Sequence, residues 1–206
     1  MRAARESEEL IECMNDEDIY GTPPVIQAIR HETEKLGFTM ASEPKTGSLL
    51  RALAATKPGG RLLELGTGTG IGTAWLLAGM DGNSRLETVD RDPVVVAVAQ
   101  RHLGHDPRVR FHLMDGADFL TRPQQQFDLI YADAWAGKFS HLDLALSLLR
   151  TGGIYFIDDL LPQPNWPEGH APKVPALIEN LENRSGFVCT RLAWASGLMI
   201  VVKTEV

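Results

Sequence analysis

Short apolar runs of strand length alternate along this chain with longer stretches whose apolar residues recur three or four apart. Arg61–Leu65, Leu86–Val89, Val109–Leu113, Asp128–Ala132 and Gly153–Ile157 read as five strands. Helices are predicted over Ile71–Leu77, Val94–Leu103, Leu142–Leu149 and Leu177–Asn183. Asp92-Pro93 is a helix start, with a capping carboxylate followed by a proline where no amide hydrogen bond is needed. Val188–Ala193 and Leu198–Val202 form a late pair of strands, and the turn at Ala195–Gly197 between them predicts a hairpin. Upstream, Glu8–Cys13 reads as a short helix. Thr22 reads as the cap of a second, with Pro23 at its first position and Val25, Ile26, Ile29 and Leu36 as its apolar residues. Pro44 and Gly47 punctuate the chain before a short helix at Ser48–Ala55, and Gly59-Gly60 closes that section.

Strand–helix alternation predicts an α/β fold, Rossmann-like, with a mostly parallel sheet covered by helices on both faces. Crossovers should be right-handed, and a ligand should sit beyond the carboxyl ends of the strands, where the strand order switches. Residues 1–57 read as an N-terminal helical arm or cap and residues 58–206 as the binding core, together one structural domain. Leu160–Pro175 holds five prolines and a tryptophan and exceeds a typical connection, so it reads either as a flap beside the ligand or as a surface loop.

Composition narrows the function. Net charge is −7 over 206 residues, and residues 1–20 carry seven acids against two arginines. A phosphate-backbone binder needs a concentrated basic surface, and none shows in the linear sequence. The two cysteines, Cys13 and Cys189, lie far apart and give no disulfide framework or metal spacing. The N-terminus lacks the apolar core of a signal peptide, and no run approaches the ~20 apolar residues of a membrane span. A cytoplasmic, soluble protein is expected.

Candidate chemistry begins at Leu62–Leu77, where Gly66, Gly68, Gly70 and Gly72 follow a strand that ends near Glu64. Such a turn lets a ligand approach bare backbone, and the helix after it points amides at the ligand. The spacing misses G-x-G-x-x-G in both frames, and no Walker lysine follows, which disfavours a dinucleotide or a triphosphate. S-adenosylmethionine (SAM) fits better, because Glu64 can face its positive groups. Asp90 closes the second strand, where a carboxylate accepts from ribose hydroxyls. After the third strand, Asp118 or the backbone around Ala117 could meet the adenine amino edge, although an acid here could equally cap a helix.

Strands four and five end in Tyr131–Phe139 and Tyr155–Leu160, both opening toward the same side. Asp133, Asp158 and Asp159 could converge there on Mg2+ or another divalent cation, or serve as caps. Hard cations want oxygen ligands and would acidify a bound hydroxyl. Asp158 and Asp159 are neighbours, so one of them could point away. Trp135 could wall an aromatic substrate or pack the core. Lys138 could orient an acidic group or act as a base. His141 is a further candidate base, and Trp166 and His170 could reach the mouth of the site. The expected reaction is methyl transfer to a hydroxyl oxygen of a small molecule. Metal-independent O- or N-methyl transfer, or a non-catalytic SAM-binding regulator, are the alternatives. The apolar surfaces of the arm leave a homodimer open.

These residues resemble the class I SAM-dependent methyltransferases, and within them the catechol and caffeoyl-CoA O-methyltransferase group. The likeness runs from about Ala41 to Val202. It rests on Pro44–Leu50, Leu63–Gly70, Val89–Asp90, Asp115–Ala117, Tyr131–Trp135 and Gly152–Asp159. It implies a seven-stranded sheet of order 3-2-1-4-5-7-6 with strand 7 antiparallel and N-terminal helices covering the cofactor. It also implies that Glu64 and Gly66 line the methionine portion, with Thr67, Gly68 and Gly70 beside them as cofactor-binding residues, that Asp90 binds ribose, and that Asp118 borders the adenine. Met40 falls near a segment touching cofactor or substrate. Asp133 matches the first metal aspartate, beside the cofactor, Asp158 matches the second, and Asp159 stands in for an asparagine ligand. Three departures are visible: Ala136 replaces the lysine that follows the tryptophan, Ala134 replaces a histidine, and Thr67-Gly68-Thr69 lacks the turn's usual aromatic.

Overall fold

The computed structural model describes residues 15–123 and 125–205. The expected helix at Glu8–Cys13 lies outside them. Two helices come first, α1 (Val25–Leu36) and α2 (Pro44–Ala55). Then follow β1 (Arg61–Leu65), α3 (Ile71–Gly79), β2 (Arg85–Asp90), α4 (Pro93–Leu103), β3 (Val109–Leu113), α5 (Gly116–Leu120) and β4 (Phe127–Ala132). The chain closes with α6 (Trp135–Lys138), α7 (Leu142–Ser147), β5 (Leu149–Ile157), α8 (Lys173–Glu182), β6 (Phe187–Leu192) and β7 (Leu198–Lys203).

The strands form one sheet of order β3-β2-β1-β4-β5-β7-β6. The first five pair in parallel, while β7 runs antiparallel to both β5 and β6. Order and direction match the expected topology. The sheet is apolar on both faces because helices cover both. Leu62 and Leu129 belong to one core cluster with Trp75, Leu50 and Ile29. Leu63, Leu65 and Ile130 belong to the other, with Phe119, Leu146 and Leu177. Helices α1 and α2 thus share a core with the sheet.

Several element starts differ from the sequence expectation. Thr22 and Pro23 lie ahead of α1, whose N-cap is Pro24 with no side-chain cap. Helix α2 reaches back to Pro44, since proline is accommodated in a first turn whose amides have no helical partner. Gly47 therefore lies inside the helix, not at a break. A Cβ there would fall 2.1 Å from Nε1 of Trp75, so the glycine is what lets α2 close on α3. The predicted start of α4 holds: the Asp92 carboxylate accepts from the Val94 amide at 2.8 Å. Among the described residues, no helix is long and apolar enough to cross a membrane.

Candidate functional site

The switch in strand order lies between β1 and β4, and the carboxyl ends of both open on one cavity of about 480 Å³. Gly66 forms its floor. With φ at +106°, and with a Cβ that would fall 2.5 Å from the Asp133 carbonyl, this position accepts no side chain. The Gly66 and Thr67 amides donate to the Val89 carbonyl at 2.9 and 3.2 Å, tying the turn to β2. Gly68 N–H donates to Asp90 Oδ2 at 2.8 Å, and Asp92 N–H to Asp90 Oδ1 at 3.0 Å. Two amides thus aim the Asp90 carboxylate, which lines the cavity. Phe38 lies against Gly68 from the N-terminal side, and Met40, 48% exposed, lines the same space.

Behind this wall, Glu64 is fully buried on the α3 face of the sheet. Oε2 accepts from Thr73 at 2.5 Å and Thr88 at 2.6 Å, whereas Oε1 has no partner. A Cβ on Gly72 would come within 2.4 Å of that bare oxygen, so Gly72 leaves room for it. Burial, with the Asp90 charge adding to it, pushes the Glu64 carboxyl up to about 8 against the pull of the two threonines. An unpartnered buried carboxylate oxygen suits a cationic ligand group, which would restore its charge.

At the far end, Asp133, Asp158 and Asp159 do converge on one pocket, the first two of them on Tyr131. The Tyr131 hydroxyl lies 3.1 Å from Asp133 Oδ2 and 2.8 Å from Asp158 Oδ2, and its single proton serves one of them at a time. Ser42 Oγ, 3.1 Å away, completes the phenol's contacts. Asp158 Oδ1 accepts from Ser196 Oγ and from the Asp159 amide at 2.8 Å. Burial drives the Asp133 carboxyl well above the usual carboxylate range, with Asp158 and Asp159 adding to it and Lys138 opposing. Burial and Asp159 likewise raise Asp158.

Lys138 is the charged group this cluster faces. Its side chain is 2% exposed, and Nζ lies 3.9 Å from both Asp133 Oδ1 and Asp159 Oδ2. Nζ donates to the Asp158 carbonyl at 3.2 Å. This arrangement does not fit a divalent cation. Both oxygens of Asp158 already accept from neutral donors, and an ammonium stands beside the other two acids where the ion would have to lie. Among the described residues, no group of three or more His, Cys, Asp or Glu is arranged to hold a metal.

Trp135, 40% exposed, lines the cavity with Ser140 and His170. His170 is buried between rings: Trp166 stacks on it at 4.3 Å, and Phe139 meets it edge-on at 4.8 Å. Its Nε2 lies 3.0 Å from the Asp159 carbonyl, which can only accept, so Nε2 carries the proton. Nδ1 is then a bare acceptor without a partner. Asp159 makes this contact from φ +62°, a left-handed conformation costly for a residue with a Cβ. Burial lowers the His170 pKa, partly offset by that carbonyl.

Of the residues singled out from sequence, Met40, Gly66, Gly68, Asp90, Asp133, Trp135, Lys138 and Asp159 meet on this one cavity. Glu64, Thr67, Gly70, Ala117, Asp118 and Trp166 do not line it. Asp158 opens instead on a smaller adjoining pocket with Ser42 and Ser196. Asp115 caps α5 through the Ala117 amide at 2.8 Å. His141 begins α7 on the surface, away from the cavity. Sequence reading assigned nothing to Tyr131, Ser42 and Ser196. Strand parity could have found Tyr131, which shares its face with Asp133 two residues on; nothing local marks the two serines.

A family described as a methyltransferase domain matches residues 63–160. A candidate O-methyltransferase of Mycobacterium leprae is 33% identical over 139 residues, 65% of this chain and 62% of its own length. A catechol O-methyltransferase of Niastella koreensis is 30% identical over 57% of each chain. The chain thus spans about three fifths of the length of the curated relatives it matches. Among solved structures, the O-methyltransferase TomG of Streptomyces achromogenes, in complex with SAM, superposes with a TM-score of 0.78. That pair shares 23% identity over 94% of this chain and 98% of that one. The O-methyltransferase of Bacillus cereus with bound SAH gives 0.79 at 18% identity over 92% and 94%. At these identities the superpositions establish the fold.

Proposed function

We propose that this chain, which resembles the class I SAM-dependent O-methyltransferases of the catechol and caffeoyl-CoA type, moves a methyl group from SAM to a hydroxyl oxygen of a small molecule. One observation carries the reading: a single cavity runs from the glycine turn and Asp90 to Asp133, Lys138 and His170. A nucleoside held at the first end presents its sulfonium to the second. In this reading Gly66, Thr67, Gly68 and Gly70 cradle the methionine portion, Asp90 takes the ribose hydroxyls, and Met40 closes over the sulfur. The bare oxygen of Glu64 answers the ligand's ammonium. Ala117 and Asp118 follow directly on the lining residues Asp115 and Gly116 and mark the adenine side. Trp135 walls the acceptor, and Trp166 supports His170 from behind.

The acceptor oxygen attacks the methyl carbon in line. The C–O bond forms as the S–CH3 bond breaks, its electron pair passes to sulfur, and S-adenosylhomocysteine leaves. The acceptor's proton goes to Asp133, whose Oδ1 has no hydrogen-bond donor within the cluster and whose raised pKa makes it a better base than an exposed carboxylate. Lys138 steadies the oxygen as its charge develops. Alignment does most of the work, because the sulfonium is already a good leaving group. No nucleic acid takes part in this reading. A cytoplasmic site of action and self-association through the arm belong to it too, the latter read by sedimentation.

Calorimetry followed by transfer from methyl-labelled SAM tests the proposal. SAM should bind at roughly 10⁻⁶–10⁻⁴ M and NAD not at all, with label passing to at least one hydroxyl compound in a panel of phenols, carboxylates and amines. Binding without transfer to any of them would point to a regulator instead.

A further inference from the structure

We propose that the ammonium of Lys138 stands in the place of a divalent cation between Asp133 and Asp159, so that a resident lysine binds the acceptor oxygen and the transfer needs no metal. This rests on the methyl-transfer reading above.

The backbone is built to bring this lysine inward. Ala136 (φ −67°, ψ 127°) and Gly137 (φ 92°) break the helical path between Trp135 and Lys138. A Cβ on Gly137 would fall 2.6 Å from Leu65 Cδ1 and 2.7 Å from the Tyr155 hydroxyl, so only glycine lets the chain pass there. The Gly137 carbonyl accepts from that hydroxyl at 2.7 Å, which pins the kink. Ala136, which stands where the catechol enzymes carry a lysine, and Gly137 after it are thus the residues that fold the chain back and set Lys138 beside the acids.

A buried ammonium must be compensated. Lys138 donates to the Asp158 backbone carbonyl and lies 3.9 Å from the Asp133 and Asp159 carboxylates, two of the three acids a hard cation would gather. Of its three N–H donors, the Asp158 carbonyl takes one. At 3.9 Å the carboxylates are too far for direct hydrogen bonds, which leaves two donors for a ligand oxygen at the cavity wall.

The substitution has a consequence for the acceptor. Coulomb stabilisation of an oxyanion scales with the charge facing it, and a lysine offers half that of a divalent ion. An acceptor served by Lys138 must therefore be acidic in its own right. This points to phenolic or enolic hydroxyls rather than aliphatic alcohols.

The test reads metal binding directly and needs no turnover. Protein of the full sequence, stripped with EDTA and dialysed, is titrated into Mn2+ while the free-ion spin resonance signal is followed, with donor and acceptor absent. Wild type and Lys138→Arg should leave the signal unchanged. Lys138→Met should withdraw most of it, because the acids have lost their resident cation. Mn2+ binding by the wild type that Asp159→Asn weakens would overturn the proposal. So would silence in a folded Lys138→Met, since the acids would then be no cation site at all. If circular dichroism shows Lys138→Met unfolded, the wild-type titration and turnover decide. Methylation of phenols undiminished by EDTA supports the proposal; turnover that EDTA abolishes and Mg2+ restores, or preference for aliphatic alcohols, rejects it. Should no acceptor be methylated, the Mn2+ result still stands on its own.

Discussion

The two ends of the cavity are made in opposite ways. The glycine-turn end is mostly backbone: Gly66 and Gly68, anchored to the Val89 carbonyl and to Asp90, come from one strand–turn–helix unit and its neighbouring strand. The reaction end is mostly side chain. Tyr131, Asp133 and Lys138 come from the end of β4 and the turn after it, Asp158 from the end of β5 and His170 from the long loop beyond, while Ser42 and Ser196 enter from opposite ends of the sequence. Backbone contacts bind a shared ligand portion whatever the side chains. Buried acids and a lysine adjust chemistry, and each substitution there changes a charge in a low-dielectric setting. The first end should therefore govern affinity for the methyl donor, and the second should govern rate and acceptor choice.

Variants can break that division. The largest effect is expected from Asp133→Asn, which removes the proton acceptor while keeping the contact to Tyr131. Its kcat should fall about 10²–10⁴-fold, with SAM affinity nearly unchanged by calorimetry. A comparable loss of affinity would merge the two ends. Asp90→Ala should do the reverse, weakening SAM binding roughly 10–100-fold, the worth of hydrogen bonds to a charged group, while kcat at saturating SAM stays close to wild type.

A pH experiment sharpens the comparison from the donor side. Glu64 titrates near 8 in the free protein, and a cationic ligand favours its ionised form. SAM binding should then release a proton. Affinity should climb as pH rises toward about 8 and level off above it, by no more than about tenfold per pH unit for one proton. Proton release shows as a dependence of binding enthalpy on buffer ionisation, and Glu64→Gln should abolish it. Stability of the free protein runs the other way. Because folding raises the Glu64 pKa above its ordinary 4.5, the folded form holds the proton more tightly, and stability falls as pH rises between 4.5 and about 8. Melting temperatures across that range, flatter in Glu64→Gln, check the sign.

The smallest effect belongs at the rim. Lys173 lies 5.5 Å from the Trp135 ring, a contact worth about 0.5–1 kcal/mol at an exposed site. Lys173→Ala should raise the acceptor KM about two- to fivefold and leave SAM affinity alone. A shift in SAM affinity would extend the reaction end into the donor's half.

Legibility in the sequence follows the same divide. β3 was predicted to the residue, because Val109, Phe111 and Leu113 alternate with polar residues in a strand-length stretch bounded by turns. The α4 start was equally plain, since a capping acid before a proline is a local signal. The start of α2 was not, because proline suits a first turn as readily as a break and only Trp75 reveals why Gly47 can sit in a helix. The glycine turn and Asp90 were readable as neighbours, since the one follows β1, the other ends β2, and the two strands pair side by side. The acids were readable as a cluster, and three carboxylates at neighbouring strand ends read equally as a cation site or as caps, a reading to which the resemblance then added. Lys138 was readable as a residue that could orient an acidic group or act as a base, but its burial beside the acids depends on a kink held by Leu65 and Tyr155.

By itself the sequence determined the period of each element, hence a covered parallel sheet, and the bare turn where a ligand meets backbone. These depend on neighbours a few residues apart, whose geometry the chain dictates locally. Only the tertiary structure decided which charges face one another at the far end: an ammonium among three carboxyls, a phenol shared by two of them, an imidazole with one nitrogen tied and one bare. Several of these pairings join residues 20 to 27 apart. They are fixed by how the helices and loops pack across the strand ends, and burial then sets what each group is worth.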